Sequence, residues 1–178
     1  WAWLVSGWDL FKRNPGVWIL MFIIFIAIVM VFSALPLVGV VASYLLTPLL
    51  VGGMMSGCAA LERDEALEVA HLFAGFRDKT SSLVQVGLLY LAGVVAIGLL
   101  LSVFFGVGLV VGALTGRPPE AALATLALVF VLFFALLVPL LMAIWFAPAL
   151  VMLHDMKPIE ALQSSFKGCL KSVPAFLI

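Results

Sequence analysis

Charged side chains are confined to a few short stretches of this chain, and what separates them is almost continuously apolar. No charged residue lies between Arg13 and Glu62, between Lys79 and Arg117, or between Glu120 and Asp155. A helix that crosses the hydrocarbon core of a bilayer needs roughly 20 predominantly apolar residues. The first run can hold two such helices with a tight turn, and each of the others holds one long or tilted span. The pattern predicts spans over 16–34 and 40–61, joined by the breaker-rich turn Leu35-Pro36-Leu37-Val38-Gly39. Two more are predicted over 83–114 and 122–152, joined by a polar turn from Thr115 to Glu120. Pro15 suits a first helical turn, where its missing N–H would be unpaired in any case. Lys12 and Arg13 ahead of an apolar stretch imitate a secretory signal. The apolar run 17–35 is longer than the roughly 7–15-residue core of such a signal, and a second span follows at once, so it reads as a retained helix.

Three segments outside the spans carry a different period. Trp1, Leu4, Trp8 and Phe11 fall at i, i+3, i+7 and i+10. Ala66, Val69, Phe73 and Phe76 repeat those intervals, as do Ile159, Leu162, Phe166 and Cys169. Each set is one apolar helix face. The faces opposite hold Ser6, Asp9 and Arg13; Asp64, Glu68, His71 and Asp78; and Glu160, Gln163, Lys167 and Lys171. The spacing predicts amphipathic helices over 1–14, 64–79 and 157–172 that lie at the membrane surface as elbows leading into the spans. Asp155 is a candidate N-cap for the third, with Pro158 in its first turn. The interfacial contacts should come from Trp8, Phe11, Phe73, Phe76, Ile159, Leu162 and Phe166. The unit of elbow, span and span occurs at 1–61 and at 62–153. It begins again at 154, with the apolar stretch 173–178 as the start of a further span. The expected fold is all-α, a polytopic transmembrane helix bundle with amphipathic interfacial elbow helices between transmembrane hairpins.

Composition agrees: 66% of the 178 residues are hydrophobic and 10% charged, against about half and about a quarter in soluble domains. Net charge is zero, which gives no field that would attract nucleic acid. The distribution of charge matters more. Lys12, Arg13, Arg63, Arg77, Lys79, Lys157, Lys167 and Lys171 fall on the elbow side, and Arg117 alone falls on the other. The positive-inside rule then puts the N-terminal side and the elbows in the cytoplasm, with the chain multi-pass in a bacterial inner (cytoplasmic) membrane. The tryptophans at 1, 3, 8, 18 and 145 suit interfacial belts.

The stretch from Trp8 to Trp18 (Trp8-Asp9-Leu10-Phe11-Lys12-Arg13-Asn14-Pro15-Gly16-Val17-Trp18) and the stretch from Glu68 to Arg77 carry a resemblance. Together they resemble the opening and the central loop of an uncharacterised proteobacterial inner-membrane protein family, over nearly the whole chain. More distantly, the segment from Pro158 to Lys167 is similar to elbows in the membrane domain attached to some glycerophosphodiester phosphodiesterases. These likenesses imply a six-helix bundle with interfacial elbows. They carry no catalytic residues to transfer, and the phosphodiesterase's catalytic domain has no counterpart in these residues.

The spans hold no ionisable residue of the kind that proton-coupled transporters, pumps and voltage sensors keep at mid-membrane. Their polar content is Ser33, Ser43, Thr47, Ser56, Gln85, Ser102 and Thr125. Gln85 is expected at headgroups or in an interhelical hydrogen bond. Small residues at four-residue spacing, Gly52, Gly53, Ser56 and Gly57, then Gly108 with Gly112 and Ala143 with Ala147, are expected to pack helices closely within the chain or against a partner helix. Pro48, Pro139 and Pro148 fall inside spans and can kink them, and broken helices mark binding sites in transporters. His71 and His154 stand near Glu68 and Asp155 on solvated segments with no second ligand at metal spacing. Cys58 and Cys169 read as free thiols, and no phosphate loop, nucleophile elbow or HExxH occurs. The chain is therefore expected to be non-enzymatic and to need no cofactor. The leading expectation is a scaffold or accessory subunit of a membrane assembly, a homo-oligomer or one subunit of a complex, with membrane lipids as its surroundings. The alternative is a membrane carrier or lipid-handling protein with a site between kinked helices.

Overall fold

A computed structural model describes residues 2–36, 38–116 and 119–172. The expected further span at 173–178 and the Arg117 side of the second turn lie outside the described residues. Within them the chain is helical. An amphipathic helix α1 (Ala2–Arg13) leads into α2 (Pro15–Ser33), which turns into α3 (Val38–Glu62). A 3₁₀ segment, Val69–Phe76, forms the central elbow. It feeds a long helix α4 (Thr80–Thr115), which returns as α5 (Pro119–Trp145) and α6 (Ala147–His154). The third elbow is α7 (Pro158–Lys171). Four stretches, Pro15–Ser33, Val38–Glu62, Thr80–Thr115 and Leu123–His154, are long and apolar enough to cross a membrane. The chain is an all-α polytopic transmembrane bundle.

Local chemistry sets the joints. Asn14 caps α2, its side-chain oxygen accepting from the Val17 N–H at 3.5 Å, with Pro15 in the first turn where no donor is needed. At the far end of α3, Asp64 adopts a left-handed conformation (φ 58) and the Glu65 N–H reaches back to the Ala60 carbonyl at 2.9 Å. Asp155 does the same at the end of α6 (φ 52), where the Met156 N–H reaches the Leu150 carbonyl at 3.4 Å. Both are left-handed helix stops that satisfy carbonyls otherwise left open.

Three expectations are corrected here. The central elbow is not an amphipathic α-helix over 64–79. Its regular part is 3₁₀, and the face turned to the protein carries Leu72, Ala74 and Gly75, while Phe73 and Phe76 point outward. Tertiary contact overrides the 3.6-residue period because the segment is pressed against the glycines of α3. The fourth span is not one helix over 122–152, since it breaks at Phe146 ahead of Pro148. Asp155 does not cap α7, whose N-cap is Lys157; it closes α6 instead.

Two clusters of buried side chains hold the bundle, both toward the elbow ends of the helices. Leu49, Leu83, Val86, Ala147, Val151 and Ala161 join α3, α4, α6 and α7. Met21, Leu50, Leu61, Leu67 and Leu72 join α2, α3 and the central elbow. The opposite halves of α4 and α5 still meet at Gly108 and Thr125, but present Val103, Leu109, Leu114, Leu123 and Phe130 outward.

Lipid removes the hydrophobic drive between helices, so they associate by close van der Waals approach. Between α3 and the central elbow, Gly53 and Gly75 make the closest. A Cβ on Gly53 would run into the Leu72 carbonyl, and one on Gly75 into the Leu49 carbonyl, so α3 and the central elbow meet backbone to backbone. Gly87 of α4 meets the Tyr44 carbonyl, 2.6 Å from where its Cβ would stand. Gly53→Ala and Gly75→Ala should each destabilise by about 1–3 kcal/mol, because backbone cannot step aside as a side chain can. Gly98→Ala, on α4 with nothing within 4 Å, should be neutral or stabilise by up to ~1 kcal/mol through helix propensity. Thermal unfolding of the three variants in detergent measures the difference. Equal melting temperatures for all three would refute backbone contact at Gly53 and Gly75.

Candidate functional site

The residues singled out by spacing separate into groups in space. Gly52 sits under Leu83, whose Cδ1 lies 3.0 Å from the position of a Cβ. Gly57 faces Leu67 and Trp18, and Gly108 faces the Thr125 methyl at 2.7 Å. Ser56 and Ala143 are half-buried, Ala147 is fully buried, and Gly112 has nothing within 4 Å. Trp8 stacks on Phe11 at 5.6 Å and Phe73 lies 6.2 Å from Phe76, with Trp8, Phe73 and Phe76 exposed. Ile159 is exposed, while Leu162 and Phe166 are half-buried. Gln85 donates to Ser81 Oγ at 3.4 Å within its own helix, and Pro139 lies on an exposed face. His71 accepts the Glu68 N–H at its Nδ1 (3.0 Å) and so closes the start of the 3₁₀ turn.

Other residues converge. Ser43, Thr47 and Pro48 of α3 and Pro148 of α6, far apart in sequence, border one cavity of about 470 Å³ between α3, α4 and the broken α5–α6 helix. Tyr44 and Tyr90 close one wall, their rings edge to face at 5.2 Å. Trp145 stands on the other side, at the break. The Thr47 hydroxyl donates to the Ser43 carbonyl at 2.7 Å, one turn back in its own helix. Among the described residues neither tyrosine hydroxyl is hydrogen-bonded to the protein. No charged residue lines the space. It is an apolar chamber, partly open to its surroundings, with a few hydroxyls on its walls. Tyr90 lies ten residues into α4, about 15 Å from the elbow end of that helix.

The break that shapes this chamber has a specific cause. In an unbroken α5 the Phe146 N–H would bond the Met142 carbonyl. Instead the Ser165 hydroxyl of α7 stands between them. It accepts from the Phe146 N–H at 3.0 Å and donates to the Met142 carbonyl at 2.8 Å. Ser165 is 1% exposed. Cys169 Sγ reaches the same carbonyl at 3.4 Å, and the two free cysteines, 58 and 169, stand apart on α3 and α7. Burial pushes the Cys169 thiol above its usual range.

Spacing missed Ser165, Tyr44, Tyr90, Gly75 and Gly87. The first had a signal: Ala161, Ser165 and Cys169 are small residues at i, i+4 and i+8, and all three are buried. The tyrosines had none, since a lone Tyr in an apolar run looks like any other packing residue.

At the surface, Arg13 pairs with Asp64 at 3.0 Å and also donates to the Leu61 carbonyl, and Lys79 pairs with Asp155. In each case a basic residue just ahead of a span holds the left-handed aspartate that ends the following hairpin.

Comparison with known proteins adds one finding. The chain is similar to a probable inner membrane protein of Burkholderia thailandensis, 29% identical over 191 aligned positions that take in 99% of this chain and 69% of that protein. No family model matches the chain, and no solved structure matches it.

Buried and with its thiol pushed up, Cys169 should resist a maleimide at neutral pH in the folded protein and react promptly once the chain is unfolded in SDS. Mass spectrometry of the labelled chain reads both states. Prompt labelling of the folded protein at Cys169 would contradict the packing of α7 on α5.

Proposed function

We propose that this is a non-enzymatic inner-membrane protein that takes an uncharged membrane amphiphile into the chamber between α3, α4 and the α5–α6 break, as a carrier or lipid-handling protein. The carrying observation is that chamber: about 470 Å³, hydroxyl-bearing, without a charged side chain. A charged headgroup at that depth would lack a counter-charge, and an unpaired charge near mid-membrane costs about 2.5–3.5 kcal/mol on insertion scales. A neutral head with a hydroxyl or carbonyl instead finds donors in Tyr44 and Tyr90, while its chain leaves through the apolar side toward lipid. The name of the Burkholderia relative supports the inner-membrane location. On the same reading the four spans belong to the six-helix bundle that the family resemblance implies.

Diacylglycerol should bind the protein in nanodiscs more tightly than phosphatidylglycerol with the same chains. Tyr90→Phe should weaken that binding roughly 3–10-fold, the worth of about one hydrogen bond. Val51→Trp, which fills the chamber from α3, should abolish it. Fluorescent-lipid titration measures all three, and unselective binding that survives Val51→Trp would remove the basis for this function.

A second reading, scaffold or accessory subunit, is favoured by one face of α4. Gly98 and Gly106 there have nothing within 4 Å and flank the exposed Ser102. That is the spacing at which a second membrane helix approaches closely. Native mass in mild detergent distinguishes the two, since a strictly monomeric particle with no bound protein speaks for the carrier.

The basic residues of the elbow side support a cytoplasmic orientation for it. Cysteines introduced at Glu65 and at Thr115 should then react differently with an impermeant reagent on intact spheroplasts. Thr115→Cys should label and Glu65→Cys should not; the reverse would invert the topology.

A further inference from the structure

We infer that Ser165 is a wedge through which the surface elbow α7 sets the opening of the intramembrane chamber; the inference rests on reading that chamber as the binding site. Ser165 does more than fill a space. Its hydroxyl takes the place of a helical hydrogen bond, joining the Phe146 N–H at 3.0 Å and the Met142 carbonyl at 2.8 Å. A side chain inserted into the i→i−4 ladder is a recognised cause of a sharp kink. In lipid the substitution matters more than in water, because a separated N–H and C=O have no solvent to bond. Pro148, two residues beyond, cannot donate at all, so the helix has a second open link at the same turn.

The residues on either side of this break are walls of the chamber: Leu141, Ile144 and Trp145 before or at it, Pro148 after it. The residue that holds it open belongs to a different element. α7 is an amphipathic helix whose outer face is Ile159, Gln163, Lys167 and Lys171, exposed, and whose inner face is Ala161, Ser165 and Cys169, buried. Motion of α7 along the surface therefore pulls on the hinge through the Ser165 hydroxyl, with the Cys169 thiol on the same carbonyl. When the wedge is withdrawn, the Phe146 N–H and the Met142 carbonyl regain each other, α5 and α6 straighten as far as Pro148 allows, and the wall carrying Trp145 and Pro148 moves. Ser165 is thus a positioning residue for the ligand, acting through the helix it interrupts.

Spin labels on the exposed positions Leu126 and Leu153 bracket the hinge. They are introduced as cysteines in a chain carrying Cys58→Ala and Cys169→Ala, and pulsed electron–electron resonance reads their separation. Unbroken helix between them would span about 40 Å, and the kinked protein should give a shorter distance. Ser165→Ala should lengthen it toward that value and weaken diacylglycerol binding at least several-fold. Leu162→Ala removes packing from the same elbow but leaves the hydroxyl, and should leave the distance unchanged. Helix content and monodisperse elution are checked first, and Ser165→Gly replaces Ser165→Ala if the latter fails them. An unchanged distance in the folded Ser165 variant overturns the wedge, as does an equal shift in Leu162→Ala. Absence of diacylglycerol binding by the unsubstituted protein sinks the amphiphile reading instead, and the distance measurement separates that failure from a failure of the hinge.

Discussion

A backbone amide inside a bilayer has no water to turn to, and two apolar helices inside it have no hydrophobic reason to meet. The first condition makes each span a helix. The second makes contact between spans depend on how near their backbones can come. In this protein the closest contacts cluster on α3, which receives the central elbow at Gly53, α4 through Gly87 and Leu83, and α2 through Trp18 at Gly57. These glycines turn a row of apolar helices into a bundle with a fixed register. The central elbow is bent out of α-helical geometry to fit them, with Gly75 lying directly on the Leu49 carbonyl.

The same scarcity of hydrogen-bond partners governs the one place where a span is interrupted. A break in α5–α6 would leave backbone groups open in an apolar medium, and Ser165 supplies both the donor and the acceptor they need. The chamber lies beside it, with Ile144, Trp145 and Pro148 at the break facing Tyr44 and Tyr90 across the same space. The hydroxyl that stabilises the break and the walls of the chamber come from elements that meet only in the folded chain.

The elbow ends are held by weaker means. Arg13 with Asp64 and Lys79 with Asp155 are exposed pairs worth at most about 1 kcal/mol each, so their role is alignment. Each connects the residue before one span to the residue after the next hairpin, spacing two elbows that share no sequence identity worth the name. The left-handed aspartates recur at the same structural position, after α3 and after α6. The repeat of elbow and hairpin is thus visible in the joints more clearly than in the apolar stripes that first suggested it.

Long uncharged runs by themselves determined that the chain is helical and how many spans its described residues hold, because bilayer thickness and backbone hydrogen bonding leave no other solution. The elbows were legible in outline, since Trp8, Phe73 and Ile159 do lie outward on their segments. Periodicity could not show that the buried side of α7 is the small-residue line through Ser165, or that the central elbow is 3₁₀. Nor could it join Ser43, Thr47 and Pro48 to Tyr90, Trp145 and Pro148. Those were decided by tertiary structure: which glycine meets which carbonyl, and which hydroxyl enters which helix, depends on contacts between residues 19 to 43 positions apart. A local pattern carries no information about a partner that distant.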